Sequence, residues 1–282
     1  MSKLAGELVE LIKQTSTSLP SDVTKSIRSA KNKEKKGSIP SYILDTIIKN
    51  INLAKKESLP ICQDTGTLNF YVYYNKKHDQ KKIRDSIIKA VKLATKKYYL
   101  RPNAVNSITS HNSGNNIGIN MPSIKFDEWD KSYLRIDLML KGGGSENVSA
   151  QYKLPDTRLK ASRDFDGIKK CVVDAVKSAG GKGCAPGIIG ICIGGDRAYG
   201  YEHAKKQLFR KLNDKNKNPK LAKLEKELSN GLNKLNIGPM GLGGKTTVLG
   251  VKIGSLHRHP ACFFVSIAYM CWACRRRSLI IK

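Results

Sequence analysis

The sequence lacks any long apolar run, and its first residues do not have the pattern expected of a secretory signal. No stretch of about 18 apolar residues occurs, so no membrane-spanning helix is expected. The first residues, MSKLAGELVELIKQ, form an amphipathic pattern that carries Glu7 and Glu10, whereas a secretory signal needs an uninterrupted apolar stretch. Apolar residues make up 40% of the 282 residues and are spread throughout, so the chain can bury a large core. We therefore expect a globular, cytoplasmic protein.

Acidic residues are scarce. The 23 Asp and Glu residues stand against 51 Lys and Arg residues, which gives a formal net charge of +28. Such a charge suits nucleic acid, an acidic partner subunit or small anionic substrates. The basic residues are mostly scattered lysines, and no segment interleaves them with aromatic side chains as single-strand binders do. This favours a solvated lysine-rich surface and leaves nucleic-acid binding as a distant alternative.

The cysteines do not suggest a disulfide framework. Their number is odd, they are widely spaced and the compartment is expected to be reducing. The seven positions are Cys62, Cys171, Cys184, Cys192, Cys262, Cys271 and Cys274. The C-x-x-C pair at 271–274 has no second pair to complete a zinc site. Metal binding and burial therefore remain as the two explanations.

Sequence context divides these cysteines into two groups. Three lie in a predicted helix or in apolar strands and are interpreted as core residues: Cys171, Cys192 and Cys262. Cys62 lies between Pro60 and Gly66, and Cys184 lies in GKGCAPG, so neither has the flanks of a buried strand. Cys271 falls where a predicted strand ends and charged residues begin. Thiolates of this second group could converge on one metal centre, such as an iron–sulfur cluster.

Hydrophobic spacing predicts helices and strands in an irregular order. Helices are predicted over residues 2–15, 41–58, 79–98, 165–180 and 200–235, the last with a charged break near 211–220. Strands are predicted over residues 67–74, 117–120 (IGIN), 133–141, 186–195, 246–254 and 261–271. Because there is no β-α-β-α rhythm, we expect an α+β (mixed α/β) fold with helices packed on mixed sheets. Residues 1–282 are treated as one domain, whose two lobes could meet near 150–165.

Two glycine-rich segments suit backbone contact with an anion. Gly142–Gly144 let the backbone approach a ligand closely, although a tight turn would use the same residues. The segment GPMGLGGKTT (238–247) is not a Walker A motif, because Pro239 stands where the motif requires glycine. A basic anion site with Lys245 and Thr246 stays open there.

Six segments occur together and in a fixed order: LPICQDTG, NSGNN, KGGGSEN, GCAPGIIGICIGG, GPMGLGGKTT and HRHPACFFVSIAYMCWACRR. Together they resemble the iron–sulfur hydro-lyases, class I fumarate hydratase and the alpha subunit of L-tartrate dehydratase, over roughly residues 4–277. The resemblance implies the alpha-type fold of that family. It also implies a 4Fe-4S cluster held by Cys62, Cys184 and Cys271, whose unique iron binds the substrate. Cys274 is a local alternative to Cys271.

The resemblance implies roles for the residues after Cys62. Gln63 and Asp64 are expected to face the substrate beside the cluster. Asp64 is the acid/base candidate of this chain, although that family is held to draw its base from a threonine of the other subunit or domain. Arg101 is expected to bind a substrate carboxylate through a bidentate fork.

Further substrate contacts are expected from the glycines and from histidine. The backbone of Gly143 and Gly144 is expected to bind another carboxylate oxygen. His259, and less strongly His257, are expected near the end of the strand that carries Cys271, within reach of the pocket.

The resemblance also implies a partner. Single-chain relatives continue into a second domain that this sequence does not contain, so we expect a separate beta subunit in an α2β2 assembly, whose acidic surface would face the basic surplus. The expected reaction is the reversible hydration of fumarate to L-malate; dehydration of L-tartrate to oxaloacetate is the alternative. A cluster-free scaffold is disfavoured, because Cys62, Gln63, Asp64, Cys184 and Cys271 are all present.

Overall fold

A computed structural model describes residues 3–282, so Ser2, in the first predicted helix, lies outside the described residues. The helices within this range are α1 (Lys3–Thr17), α2 (Ser21–Lys33), α3 (Ile39–Glu57), α4 (Gln80–Lys96), α5 (Gly143–Asn147), α6 (Phe165–Ala179), α7 (Arg197–Gln207), α8 (Pro219–Asn233) and a short 3-10 helix (Pro239–Gly241). The strands are β1 (Thr67–Tyr74), β2 (Ser123–Glu128), β3 (Leu134–Lys141), β4 (Ala150–Lys153), β5 (Gly187–Ile193), β6 (Val248–Ser255), β7 (Phe264–Met270) and β8 (Arg275–Ile281). None of the helices in this range has both the length and the apolar character needed to cross a bilayer.

The chain divides into two compact units, each assembled from separated segments. The first unit consists of the described residues up to Pro20, Lys49–Gly143 and Ala273–Lys282. The second unit consists of Ser21–Ile48 and Gly144–Trp272. The chain therefore passes from its longest segment of the first unit into the second unit at Gly143–Gly144. The sequence suggested a boundary later, near 150–165.

The first unit is built on a four-stranded mixed sheet of order β2-β1-β3-β8. Strand β1 pairs in parallel with β2 and antiparallel with β3, and β8 is antiparallel to β3. Helices α1 and α4 pack together and share a core with the sheet, because their apolar residues recur on one face. Helix α4 begins at Asp79, whose carboxylate accepts hydrogen bonds from the backbone N–H groups of Lys81 and Lys82.

The second unit is built on another four-stranded mixed sheet, of order β4-β7-β5-β6. Strand β5 is parallel to β6 and antiparallel to β7, and β7 is antiparallel to β4. Helix α7 packs on β5 and β7, α8 packs on β6, and α6 packs on β7. This arrangement leaves the ends of β5 and β7 next to the loops that carry Cys184 and Cys271.

The predicted α+β class with mixed sheets is confirmed. The prediction for TLNFYVYY coincides with β1, and the charged break near 211–220 coincides with the loop between α7 and α8. The IGIN strand is wrong: Gly118 and Met121 form an isolated bridge around a tight turn, with Asn120 at φ +58. Helices α2 and α5, the short 3-10 helix and strands β2, β4 and β8 were not predicted.

Burial separates the cysteines that we interpreted as core residues. Cys171 in α6 and Cys192 in β5 are both 0% exposed, as predicted. Burial raises the pKa of each thiol to about 12, so both remain protonated. Cys262 is an exception, because it lies in the turn before β7 and is partly exposed. Its prediction as a buried strand residue is therefore wrong.

Candidate active site

The segment Cys62–Gln63–Asp64 lies in the first unit between α3 and β1. The backbone next to it is held on both sides, because the Ile61 N–H donates to the Ser16 carbonyl (2.9 Å) and the Asn50 amide donates to the Ile61 carbonyl (2.9 Å). Cys62 is half-buried and Gln63 is exposed. A thiol and an amide are therefore presented from an anchored loop.

The Asp64 carboxylate is used by the loop itself. Its Oδ1 accepts the Gly66 N–H at 2.9 Å, and its Oδ2 accepts the Gly143 N–H at 2.7 Å. A Cβ on Gly142 would lie 2.8 Å from Oδ2, so a larger residue there would displace the carboxylate from its hydrogen bonds. Gly143 was expected to donate to a substrate carboxylate, but here it donates to Asp64. Asp64 therefore joins the segment after Cys62 to the KGGG turn.

Arg275, at the start of β8, fixes the main chain of Asp64. Its Nη1 donates to the Asp64 carbonyl oxygen at 2.7 Å, and its side chain is 1% exposed. The guanidinium Nη2 also lies 3.7 Å from the position of a Cβ on Gly142. Sequence analysis missed this residue, because the run Arg275–Arg277 has the appearance of a charged surface segment.

Thr65 links the same segment to Arg101. Its Oγ1 accepts hydrogen bonds from the Arg101 N–H and from the Asn103 amide, both at 3.1 Å. The Arg101 carbonyl in turn accepts the Asn116 amide at 3.0 Å. The Arg101 backbone is thus held while its side chain is exposed. The structure therefore holds Arg101 close to the Cys62 segment, and its predicted contact with a substrate carboxylate stays a prediction.

A cavity of ≈ 870 Å³ opens on this side of the first unit. Cys62, Gln63 and Arg101 line it together with Lys92 and Lys96, which lie one helical turn apart on α4. Three cationic side chains and an amide around one cavity suit an anionic ligand. The two lysines were not identified from the sequence, because nothing distinguishes them from the other lysines of a basic chain.

In the second unit, the loops of Cys184 and Cys271 are joined by the backbone. The Trp272 N–H donates to the Cys184 carbonyl at 3.2 Å. Cys184 has φ +54, a left-handed conformation that is uncommon outside glycine. Both cysteines are partly exposed, unlike the core cysteines. Two of the three predicted cluster ligands therefore come from adjoining loops.

Tyr269 lies against these loops. Its ring is so close to the backbone that a Cβ on Gly183 or on Gly187 would lie 2.5 Å from a ring atom. Burial, and to a smaller extent the charges of Cys271 and Cys184, raise the pKa of Tyr269, so it stays a neutral phenol. Sequence analysis did not identify this tyrosine, because it lies in an ordinary apolar strand.

The remaining candidates are Gly144 and the two histidines. Gly144 begins the second unit, where a Cβ would lie 3.4 Å from the Lys182 carbonyl. His259 is exposed in the loop before β7, and its Nδ1 accepts the Ala261 N–H at 3.2 Å. His257 is exposed in the same loop. The two histidines precede the start of β7 and Cys271 follows its other end, so they lie near an end of that strand, and their reach to the pocket stays a prediction.

Cys274, the alternative third ligand, is 0% exposed, whereas Cys271 is partly exposed. The possible anion site at 238–247 is used internally: the N–H groups of Lys245 and Thr246 donate to the Glu34 carboxylate at 2.8 and 3.1 Å. Those donors are therefore engaged by the chain's own carboxylate, which argues against an anion site there.

The donor set suits the implied cluster. Cysteine thiolates are the ligands of iron–sulfur clusters, and the buried Tyr269 hydroxyl lacks a hydrogen-bond partner near Cys184 and Cys271. Within residues 3–282, no three His, Cys, Asp or Glu side chains form a ready metal-binding group. The set Cys62, Cys184 and Cys271 therefore remains a prediction.

Comparison with known proteins identifies relatives over the whole chain. The family model for fumarate hydratase (Fumerase) matches residues 6–280. The chain is 48% identical to a "Putative fumarate hydratase class I" of Geobacillus stearothermophilus, over 98% of this chain and 54% of that protein. It is 38% identical to a "Putative L(+)-tartrate dehydratase subunit alpha" of Methanocaldococcus jannaschii, over 99% of this chain and 98% of that protein. It is 32% identical to the L(+)-tartrate dehydratase subunit alpha of Escherichia coli K12, over 100% of this chain and 91% of that protein.

The names of these relatives denote hydro-lyases, enzymes that add or remove water. The chain belongs to the fumarate hydratase class I family, in which these fumarate hydratase and tartrate dehydratase sequences fall. It spans about half the length of the Geobacillus relative and nearly the full length of the two alpha subunits.

Proposed function

We propose that this chain is the alpha subunit of a hydro-lyase that interconverts fumarate and L-malate. The relative at 48% identity, named a fumarate hydratase, favours this substrate over tartrate. The second candidate is dehydration of L-tartrate to oxaloacetate, favoured by the match to tartrate dehydratase alpha subunits along nearly their whole length. The two substrates differ by one hydroxyl group, so both candidates use the same kind of site.

The cavity beside Cys62 carries this proposal. Arg101, Lys92 and Lys96 surround it, and a dicarboxylate needs two regions of positive charge or N–H donors. Arg101 is the residue proposed to grip one carboxylate, because a planar guanidinium can donate two parallel hydrogen bonds. Gln63 is proposed to orient the substrate through its exposed amide.

Asp64 is proposed to act first as a positioning group and then as an acid/base group. Both carboxylate oxygens accept backbone N–H groups, so Oδ2 must leave Gly143 before it can exchange a proton with substrate. Release of Oδ2 would also leave the Gly143 N–H available to donate a hydrogen bond to a substrate carboxylate oxygen. This single movement accommodates both expected roles, and Gly144 is proposed as a neighbouring donor. His259 remains a weaker candidate for substrate contact.

A 4Fe-4S cluster is the proposed cofactor, with Cys62, Cys184 and Cys271 as ligands. When bound, it supplies a Lewis acid that makes hydroxide a better leaving group. The protein groups then have to bind, orient and exchange protons. These three cysteines are half-buried, in contrast to Cys171, Cys192 and Cys274, which supports their choice; Cys262 is half-buried as well but lies before the start of β7.

We further propose a separate beta subunit that completes the site, in an α2β2 assembly. The two alpha-subunit relatives support a partner of this kind. The reducing cytoplasm is the proposed compartment, because thiolate ligands persist there.

Activity measurements on the anaerobically purified complex test the substrate. We expect kcat/KM for malate or fumarate to exceed that for L-tartrate. Arg101→Met should lower kcat/KM about 10- to 100-fold, as loss of a hydrogen bond to a charged group does. Lys131→Met, which removes a lysine outside the cavity, is the matched control. A higher kcat/KM for L-tartrate would mean that tartrate, and not fumarate or malate, is the substrate. A complex that is inactive on all of them would reject the proposal.

Iron and sulfide analysis tests the cofactor. We expect about four iron and four sulfide per chain in the wild type, as a 4Fe-4S cluster requires. Cys62→Ser, Cys184→Ser and Cys271→Ser should each lose them, whereas Cys274→Ser should not. If Cys274→Ser lost its iron and sulfide while Cys271→Ser retained them, Cys274 would be the third ligand in place of Cys271.

A further inference from the structure

The hydroxyl of Tyr269 is a buried polar group with no hydrogen-bond partner among the described residues. The side chain is only 2% exposed. A buried hydroxyl without a partner is costly, and native proteins rarely keep one unless a ligand, an ion or a function uses it. Phenylalanine would fill the same space without that cost. The presence of the oxygen therefore calls for an explanation.

Close packing around the ring holds the hydroxyl oxygen in one position. A Cβ on Gly187 would lie 2.6 Å from the Tyr269 hydroxyl oxygen, and a Cβ on Gly183 would lie 2.5 Å from the ring. Both residues must be glycine for the ring to fit. They stand on either side of Cys184 in the GKGCAPG loop. The tyrosine is therefore packed into the loop that presents this cysteine.

Cys271 directly follows β7, the strand that contains Tyr269. Residues i and i+2 of a strand point to the same face, and Cys271 follows Tyr269 by two positions as β7 ends. The Trp272 N–H donates to the Cys184 carbonyl, so the two cysteine loops are held together at this point. The hydroxyl thus lies in the one part of the second unit where two candidate ligands meet.

We propose that the Tyr269 hydroxyl donates a hydrogen bond to a sulfur atom of the cluster centre held by Cys184 and Cys271. This inference rests on the proposed cofactor. Hydrogen bonds to cluster sulfurs offset the negative charge added on reduction and so raise the reduction potential. Tyr269 is a positioning and tuning residue, because it acts on the ligand sulfur and not on the substrate.

The test compares Tyr269→Phe with Tyr152→Phe in the anaerobically purified protein with its cluster. Tyr152 is a matched control, because its hydroxyl is in the same unit but donates to Asp174 at 2.8 Å. We expect Tyr269→Phe to lower the reduction potential, with about a tenfold change in the oxidised-to-reduced ratio at fixed potential, which equals about 59 mV for one electron. Tyr152→Phe should leave the potential unchanged.

Two further measurements separate tuning from a structural role. In the cluster-free protein, Tyr269→Phe should leave the melting temperature unchanged or raise it, because no partner is lost. Fe–S stretching bands of the wild type should shift in D2O more than those of Tyr269→Phe. Equal potentials and equal isotope shifts in two cluster-loaded proteins overturn this inference alone. A wild type that binds no iron after reconstitution overturns the proposed cofactor and this inference together.

Discussion

Single residues determine how the Cys62 loop is held. Asp64 uses both carboxylate oxygens to accept backbone N–H groups, and Arg275 donates to its carbonyl oxygen. The sequence located Asp64, because a polar cluster between a proline and a glycine is unusual. It could not locate Arg275, since the burial of that side chain depends on a strand pairing formed with residues far away in the sequence.

Gly66 provides a direct test of this loop. It has φ +83, and a Cβ there would lie 2.9 Å from backbone atoms of Leu140 and Lys141. Gly66→Ala therefore adds a steric clash to the strain of the left-handed conformation. We expect it to lower the free energy of unfolding by at least about 2 kcal/mol more than Gly37→Ala does. Denaturant titration measures both.

Gly37 is a suitable control, because it has φ +79 and open space within 4 Å of a Cβ. Gly37→Ala introduces the strain of the left-handed conformation without a steric clash. That strain alone costs about 1 kcal/mol. Equal losses in the two variants would show that close packing at Gly66 is unimportant.

At the scale of elements, the loop between α7 and α8 is held by charge. Lys252 of β6 is 3% exposed, and its Nζ donates to Asp214 at 2.5 Å. Arg210 also donates to Asp214, at 2.9 and 3.0 Å, and to Glu225 at 2.7 Å. A predicted charged break therefore becomes an ordered connection, because its carboxylates neutralise a buried lysine and a half-buried arginine.

This network predicts a loss of stability in acid. Burial alone would raise the pKa of Asp214, but hydrogen bonds from Arg210 and Lys252 outweigh burial and lower the pKa. The stabilisation that ionised Asp214 gives the folded state is therefore fully present above the ordinary aspartate pKa of about 3.9. It is lost as the pH falls through the lower pKa that Asp214 has in the folded protein. Unfolding free energies measured between about pH 6 and pH 3 should fall more steeply in the wild type than in Asp214→Asn, by on the order of 1 kcal/mol.

Asp85→Asn is the control, since Asp85 forms only an exposed pair with Lys81 on α4. That variant should follow the wild-type pH profile. A parallel profile for Asp214→Asn would mean that the ion pairs with Asp214 add nothing to stability.

Local pattern predicted some elements well and others not at all. Strand β1 and helix α6 have clear periodicity and boundaries, so their positions agreed closely with the structure. Strand β8 begins with three arginines, two of which are buried, so its composition concealed it. Helix α2 has only three buried residues, Val23, Ile27 and Ala30, which is a weak apolar stripe. Tertiary contacts supplied what the local pattern lacked.

For the whole molecule, the charge of +28 predicts salt-dependent assembly. If the proposed beta subunit presents an acidic surface, association should slow about tenfold or more between 0.05 and 0.5 M salt, because screening shortens the range of attraction. Stopped-flow mixing measures this rate. The dissociation rate should change much less. An association rate independent of salt would leave the basic surplus without a role in assembly.

The return of the chain to the first unit has a consequence for its biosynthesis. The sheet of this unit lacks β8 until residues 144–272 have been translated, so β3 remains an edge strand during that time. The carbonyl of Asp64 also waits for Arg275 to emerge from the ribosome. All residues of the second unit have therefore been translated before residues 273–282 complete the first unit. A nascent chain that pauses after β7 would carry the Cys62 loop without its final anchor.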